Sequence, residues 1–111
     1  MKIPDGFVKV CNINELKDEE GKQFFVDDVE IALFKVKKSV FAVSNICPHQ
    51  KTHLMYDGII ENEYVICPLH GWKFNLNDGS MPNGRRGIGV YEVKVFGDDV
   101  YVKVDNRFPD W

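Results

Sequence analysis

Several features that would assign this chain of 111 residues to a common class are missing. No apolar run approaches the roughly 20 residues that a membrane-spanning helix needs. There is no basic stripe or arm, and the net charge of −3 argues against a nucleic-acid partner. The N-terminus lacks the apolar core of a signal peptide. These absences favour a cytoplasmic protein with neither a membrane nor a nucleic-acid partner.

Cysteine and histidine are scarce, with three of each. Three thiols are too few for a disulfide-rich scaffold, and thiols in a reducing compartment are available to bind metal. Cys11 lies in a strand-like segment away from the others, and we expect a buried core residue without chemistry. His53 is expected to be a polar surface residue. The remaining two cysteines and two histidines form two short clusters.

The chain predicts a single all-β domain, residues 1–111. It has no internal repeat, no low-complexity segment and no sustained helical periodicity, apart from one helical turn expected after an Asn12 cap. Two hairpins are expected, each with a three-residue connection, at residues 37–39 and 97–99. Short strand-like segments predict an antiparallel sandwich or barrel; they cover residues 7–12, 29–36, 40–43, 63–66, 72–76, 90–96 and 100–104.

The two Cys/His clusters interrupt this strand pattern. The first reads Cys47-Pro48-His49 and the second Cys67-Pro68-Leu69-His70. Each proline favours a tight turn, which lets the thiolate and the imidazole of one cluster point at the same place. Both clusters fall within residues 45–86, so we expect a small metal-binding lobe inserted between the two parts of a β base, residues 1–44 and 87–111.

Two metal centres are compatible with these four side chains. Two cysteines and two histidines can form a closed structural zinc site, but such modules usually group cysteine with cysteine and histidine with histidine. A two-iron cluster with thiolates on one iron and imidazoles on the other requires one ligand of each kind per loop. Replacing two thiolates with neutral imidazoles also raises the reduction potential, from about −400 mV to between about −150 and +300 mV.

The full pattern, Cys47-x-His49 and Cys67-x-x-His70 followed by Gly71-Trp72-x-Phe74 and Asp78-Gly79, closely resembles the Rieske [2Fe–2S] family. The resemblance implies a Rieske-type antiparallel β fold with an inserted cluster-binding lobe. It also implies one [2Fe–2S] cluster whose inner iron is bound by Cys47 and Cys67 and whose outer iron is bound by His49 and His70.

The positions around the motif indicate the low-potential branch of that family. The respiratory and photosynthetic branch carries a disulfide where this chain has Thr52 and Leu69. That branch also has hydroxyl donors where Trp72 and Phe74 stand here. Because hydrogen bonds to the cluster sulfurs stabilise the reduced state, their absence predicts a potential at the bottom of the range given above, about −150 mV or somewhat higher.

Four further residues are expected around the cluster. Gly71 would let the backbone pass close to it. Leu54 and Trp72 would shield the sulfurs from water, although Trp72 alternatively fills the small core of the lobe. Pro82 lies where the family has a proline-containing loop that covers the cluster.

Charge is unevenly distributed along the chain. Residues 15–30 hold seven acidic side chains, which we expect to be solvated surface rather than a docking site. Basic side chains flank the predicted cluster end and would steer an acidic partner toward it, unless they are simply scattered surface charge; they are Lys51, Lys73, Arg85 and Arg86.

Three functions follow from these observations. The first is a one-electron carrier that takes electrons from a flavin reductase and passes them to a terminal oxygenase. The second is the small subunit of an NAD(P)H-dependent nitrite reductase, and the third is a zinc-stabilised binding module without a redox role. A chain of this length leaves no space for the catalytic domain of an oxygenase, so we expect an electron-transfer protein and no enzyme.

Overall fold

A computed structural model describes residues 6–46, 53–69, 71–82 and 87–104. These contain nine strands in two antiparallel sheets, which form a nearly closed barrel and confirm the predicted all-β class. The six-stranded sheet has the order β1-β9-β8-β4-β3-β2, and the three-stranded sheet has the order β5-β6-β7. The strands are β1 Phe7–Asn12, β2 Gly21–Val26, β3 Val29–Val36, β4 Ser39–Ser44, β5 Ile59–Glu61, β6 Tyr64–Ile66, β7 Lys73–Asn75, β8 Val90–Phe96 and β9 Asp99–Lys103.

The helical turn predicted after Asn12 is confirmed as a 3₁₀ helix, Ile13–Glu15. The Asn12 side chain accepts a hydrogen bond from the Asn14 N–H (2.9 Å), and the Glu15 carboxylate accepts one from the Asn12 N–H (2.8 Å). Side chains at both ends of the turn therefore satisfy backbone donors that would otherwise lack partners. A second 3₁₀ helix, Met55–Asp57, ends at Gly58, whose N–H donates to the carbonyl of Met55.

Both predicted hairpins form, but their three-residue connections are wrong. Ser39 belongs to β4 and pairs with Val36, and Asp99 belongs to β9 and pairs with Phe96. Each connection therefore has two residues, and the first of the two has a positive φ. Two-residue turns of this kind match the right-handed twist of the strands, so the ladder continues one pair further than the sequence suggests.

Strand β3 separates two hydrophobic cores. Its residues Ile31–Phe34 are all fully buried. Ile31 and Leu33 face the core within the barrel, whereas Ala32 and Phe34 face a second core built with the small sheet. Alternate side chains of a strand point to opposite faces, so a continuous apolar run is what a strand covered on both faces requires.

The second core attaches the small sheet to the outer face of β3 and β4. We call it the lobe core; its buried residues are Ala32, Phe34, Val43, Met55, Val65, Cys67, Phe74, Leu76, Met81 and Ile88. Burying each large aliphatic or aromatic side chain contributes about 1.5–3 kcal/mol. This packing sets the strand end at Cys67 against the base.

Candidate metal centre

Cys67 lies where β6 ends, in a tightly closed turn. Its N–H donates to the carbonyl of Trp72 (2.8 Å), and its carbonyl accepts from the N–H of Gly71 (3.0 Å). The first bond continues the β6–β7 pairing beyond Ile66 and Lys73, and the second closes the turn between Cys67 and Gly71. The Cys67 side chain is only 2% exposed, whereas Leu69 in the turn is 45% exposed. The turn thus holds a sulfur inside the protein while its tip faces solvent.

Gly71 is required by the conformation of this turn. Its φ is +72°, in the left-handed region that side chains other than glycine rarely adopt. No described atom lies within 4 Å of the position that a Cβ would occupy. Within the described residues, nothing therefore blocks another group from this side of the Gly71 backbone.

The loop with the other two predicted ligands is held at both ends. Asn45, which is fully buried, precedes it, and its side-chain oxygen accepts from the Tyr56 N–H (2.7 Å). Its amide nitrogen donates to the carbonyl of His53 (3.1 Å). Cys47 and His49 themselves, like His70, lie outside the described residues, so their assignment as ligands stays a prediction.

The segment after this loop packs directly against the strand that ends at Cys67. A Cβ on buried Gly58 would lie 2.6 Å from Cγ2 of Val65 and 2.9 Å from the carbonyl oxygen of Ile66. Met55 and Cys67 also share the lobe core. The structure therefore places the segment that follows the first loop against the strand that leads into the second loop.

Replacing Gly58 with alanine is expected to separate these segments. The added methyl group meets backbone as well as side-chain atoms, so we expect the free energy of unfolding to fall by about 1–3 kcal/mol. Chemical denaturation checks this value. Ser39→Ala, at the exposed first residue of β4, provides a control for a surface substitution to alanine, with an expected change of within about 0.5 kcal/mol. Equal stability of Gly58→Ala and wild type would contradict the close packing described above.

The residues expected around the cluster occupy different environments. Leu54 and Trp72 are half-buried, and Trp72 packs against the lobe core, as its alternative interpretation predicted. Met81 is buried in the same core, whereas Pro82 beside it is exposed. Packing of Trp72 in the core does not test a shielding role, which stays a prediction for Leu54 and Trp72, as does the covering role of Pro82.

The donor set fits a [2Fe–2S] cluster. A buried thiol at a hydrogen-bonded strand end and a second loop whose two ends are hydrogen-bonded together suit a group with two thiolate and two imidazole ligands. Within the described ranges no three metal-binding side chains converge, because three of the four predicted ligands lie outside them.

Cys11 is confirmed as a core residue. It is 5% exposed in the barrel core, and burial, with a smaller contribution from Glu15, raises the pKa of its thiol to about 11. It therefore remains a protonated thiol at neutral pH and is unsuited to binding iron, which takes the thiolate.

The charged residues depart from expectation in two places. Glu30, counted among the solvated acids, has a side chain only 9% exposed and contacts His53 at 2.7 Å. Lys73, one of the basic residues expected to flank the cluster end, is paired with Glu61 at 2.8 Å. This hydrogen bond raises the pKa of Lys73. The other three basic residues lie outside the described residues; they are Lys51, Arg85 and Arg86. That these basic side chains steer an acidic partner toward the cluster end therefore stays a prediction.

The buried polar residues Glu30 and Asn45 were missed at the sequence level. A signal for Glu30 was available, because a carboxylate within the apolar run of β3 must find partners once both faces are covered. Asn45 carries no comparable signal.

Among the described residues, no helix is long and apolar enough to cross a membrane.

Comparison with known proteins agrees with the motif. The sequence profile of the Rieske-like [2Fe-2S] domain matches residues 6–103. The biphenyl dioxygenase ferredoxin subunit of Pseudomonas sp. (strain KKS102) is 31% identical over 98 residues, which cover 86% of this chain and 90% of that protein. The profile decides between the two metal centres in favour of the [2Fe–2S] cluster over zinc.

Solved structures give the same fold with two kinds of role. The ferredoxin of carbazole 1,9a-dioxygenase from Nocardioides aromaticivorans IC177 superposes with a TM-score of 0.82 at 27% identity, covering 91% of this chain and 100% of that chain. A Mycobacterium tuberculosis protein, whose assigned role is the small subunit of an NADH-dependent nitrite reductase, has a TM-score of 0.82 at 28% identity, covering 86% and 92%.

Proposed function

Because the chain belongs to the Rieske-like [2Fe–2S] domain family, we propose that it is a one-electron carrier that passes electrons from a flavin reductase to a terminal oxygenase in the cytoplasm. The observation that carries the proposal is the Cys67 turn, which buries a thiol beside an exposed tip. A cluster ligated on one side by imidazoles supplies the reversible uptake of one electron.

In this proposal the residues around the cluster have three roles: ligands, shielding from water and contact with a partner. Cys47, His49, Cys67 and His70 hold the cluster, and the lobe core keeps water away from the sulfur of Cys67. Leu69 lies between two of these ligands and exposes an apolar side chain. An apolar contact next to the ligands allows a partner to approach closely without an ordered charge network, which suits brief encounters.

Replacing Leu69 with glutamate tests this docking position. A carboxylate in an apolar contact is expected to slow electron transfer to a terminal oxygenase by about tenfold, which corresponds to about 1.4 kcal/mol. Stopped-flow oxidation of the reduced protein by that oxygenase measures the rate. The matched control is Val95→Glu on β8, a comparably exposed residue outside the cluster turn. Equal rates for Leu69→Glu and Val95→Glu would contradict docking at Leu69.

The small subunit of a nitrite reductase is the second candidate, supported by the equal superposition on the Mycobacterium tuberculosis protein. A free carrier restores turnover to an oxygenase system from which its ferredoxin has been omitted and purifies without a partner. A reductase subunit instead copurifies with a large flavin- or haem-containing chain and does not restore the oxygenase. We expect the first result, and the second would overturn the oxygenase role.

A further inference from the structure

A largely buried carboxylate contacts residues on both sides of the loop that carries Cys47 and His49. Glu30 on β3 uses both of its oxygens: Oε1 accepts from Nδ1 of His53 (2.7 Å), and Oε2 accepts from the amide of Asn45 (2.6 Å). Oε2 also accepts from the amide of Gln23 on β2 (2.9 Å). A carboxylate only accepts, so Nδ1 of His53 carries the proton in this contact.

Asn45 joins the beginning of this loop to its end. Besides the side-chain bonds to His53 and Tyr56, its carbonyl accepts from the Met55 N–H (3.2 Å). Its N–H donates to the carbonyl of Glu30 (3.2 Å). The residue before the loop is thus bonded to three residues after it and to the base sheet, and Glu30 contacts both ends through its carboxylate.

We propose that Glu30 is a positioning residue for the loop of residues 46–52, which it holds at one end through Asn45 and at the other through His53. The proposal rests on the cluster-binding function proposed above, because Cys47 and His49 lie in this loop. Hydrogen-bonded groups behind metal ligands commonly set the orientation of those ligands and the affinity for the metal.

The charge of Glu30 supports this role. Burial acts to raise the pKa of Glu30, but the hydrogen bonds from Asn45, His53 and Gln23 outweigh it and hold that pKa below its ordinary value. Glu30 is therefore ionised at neutral pH, and hydrogen bonds to an ionised acceptor are the strong ones. His53 is the titratable partner that faces it among the described residues, while Asn45 and Gln23 are neutral amides.

Alanine variants of Glu30 and Asn45 test the proposal. With either one, we expect the holoprotein to release iron to a chelator about 10–100-fold faster than wild type, as is typical when groups behind metal ligands are removed. We also expect a changed electron paramagnetic resonance spectrum of the reduced protein and a shifted reduction potential. Glu30→Gln, which keeps the size and one acceptor oxygen, is expected to recover part of each effect.

Gln23→Ala is the matched control. Gln23 bonds the same carboxylate oxygen as Asn45 but comes from β2 and, among the described residues, bonds neither Asn45 nor His53. Its loss is therefore expected to leave iron release and the spectrum as in wild type. Glu30→Ala and Asn45→Ala overturn the proposal if they lower thermal stability but keep the wild-type iron-release rate, spectrum and potential. Glu30 would then have a purely structural role.

A substitute variant and a second measurement separate the positioning role from a failure to fold and from a failure to bind a cluster. If Glu30→Ala does not fold, His53→Ala replaces it, since the His53 side chain is 58% exposed and its loss leaves the barrel core untouched. Hydrogen exchange at the Tyr56 amide, bonded to Asn45, reports on the loop end without reference to the cluster. If wild type holds no cluster, the proposed function fails. Unchanged Tyr56 exchange in Glu30→Ala or its His53→Ala replacement overturns the positioning role itself.

Discussion

Replacing Cys67 with alanine is expected to abolish cluster binding, with cluster retention falling by more than about 100-fold. Even groups that only support metal ligands cost about 10–100-fold when they are lost, and a lost thiolate ligand costs more. The buried position of Cys67 at a hydrogen-bonded strand end leaves no described cysteine to take its place. Iron and sulfide content and visible absorbance of the purified variant measure the effect.

Cys11→Ala is the control for this experiment, because it removes one buried thiol from the other core. Its thiol is expected to play no part in cluster binding, so the variant should keep full iron content and lose about 1 kcal/mol of stability. Wild-type iron content in Cys67→Ala, or loss of the cluster in Cys11→Ala, would contradict the proposed ligand set.

The reduction potential is expected to rise when a hydroxyl is placed at Phe74. Phe74 is fully buried and pairs with Val65, and Cys67 follows Val65 by two residues on the same buried side of the chain. A diagonal neighbour of this kind is within reach of an aromatic side chain. Phe74→Tyr would supply a donor toward the sulfur, and hydrogen bonds to cluster sulfurs are one determinant of potential.

We expect a wild-type reduction potential of about −150 mV and a higher potential for Phe74→Tyr. The buried hydroxyl is expected to lower the free energy of unfolding by about 1–3 kcal/mol. A redox titration followed by visible absorbance gives both potentials. Phe41→Tyr, a half-buried position on β4, controls for the substitution itself. A wild-type potential above about +100 mV, or a lower potential in Phe74→Tyr, would contradict the assignment to the low-potential branch.

Local signals in the sequence were sufficient for part of the fold. The turn at Asn12 and the two hairpins depend on residues within a few positions of one another. Strand β2 was missed, because the turn that joins it to β3 is Asp27-Asp28, which reaches positive φ without a glycine to mark a hairpin. Strand β5 was missed because three residues are too short to show alternation.

The site, like the fold, was predictable where a local sequence pattern determines it and not where distant residues meet. The motif identified a metal centre because cysteine and histidine at close spacing have few other uses. The contacts of the Glu30 carboxylate with Asn45 and His53 could not be predicted from the sequence, since Glu30 lies 15 residues from Asn45 and 23 from His53. That contact depends on the register of β3 and β4, where Ile31 pairs with Ser44, immediately before Asn45. No local pattern encodes this register.

The ligand set is tested most directly by pulsed electron paramagnetic resonance of the reduced protein. Nitrogen ligands on one iron couple magnetically to the unpaired electron, whereas four thiolate ligands supply no directly bound nitrogen. We predict couplings from two histidine nitrogens in wild type and the loss of one of them in His49→Ala and in His70→Ala. In His53→Ala two directly bound nitrogens remain, even where the strength of their couplings changes. A spectrum without directly bound nitrogen, or one that loses a nitrogen in His53→Ala, would contradict the assignment of His49 and His70 as the imidazole ligands.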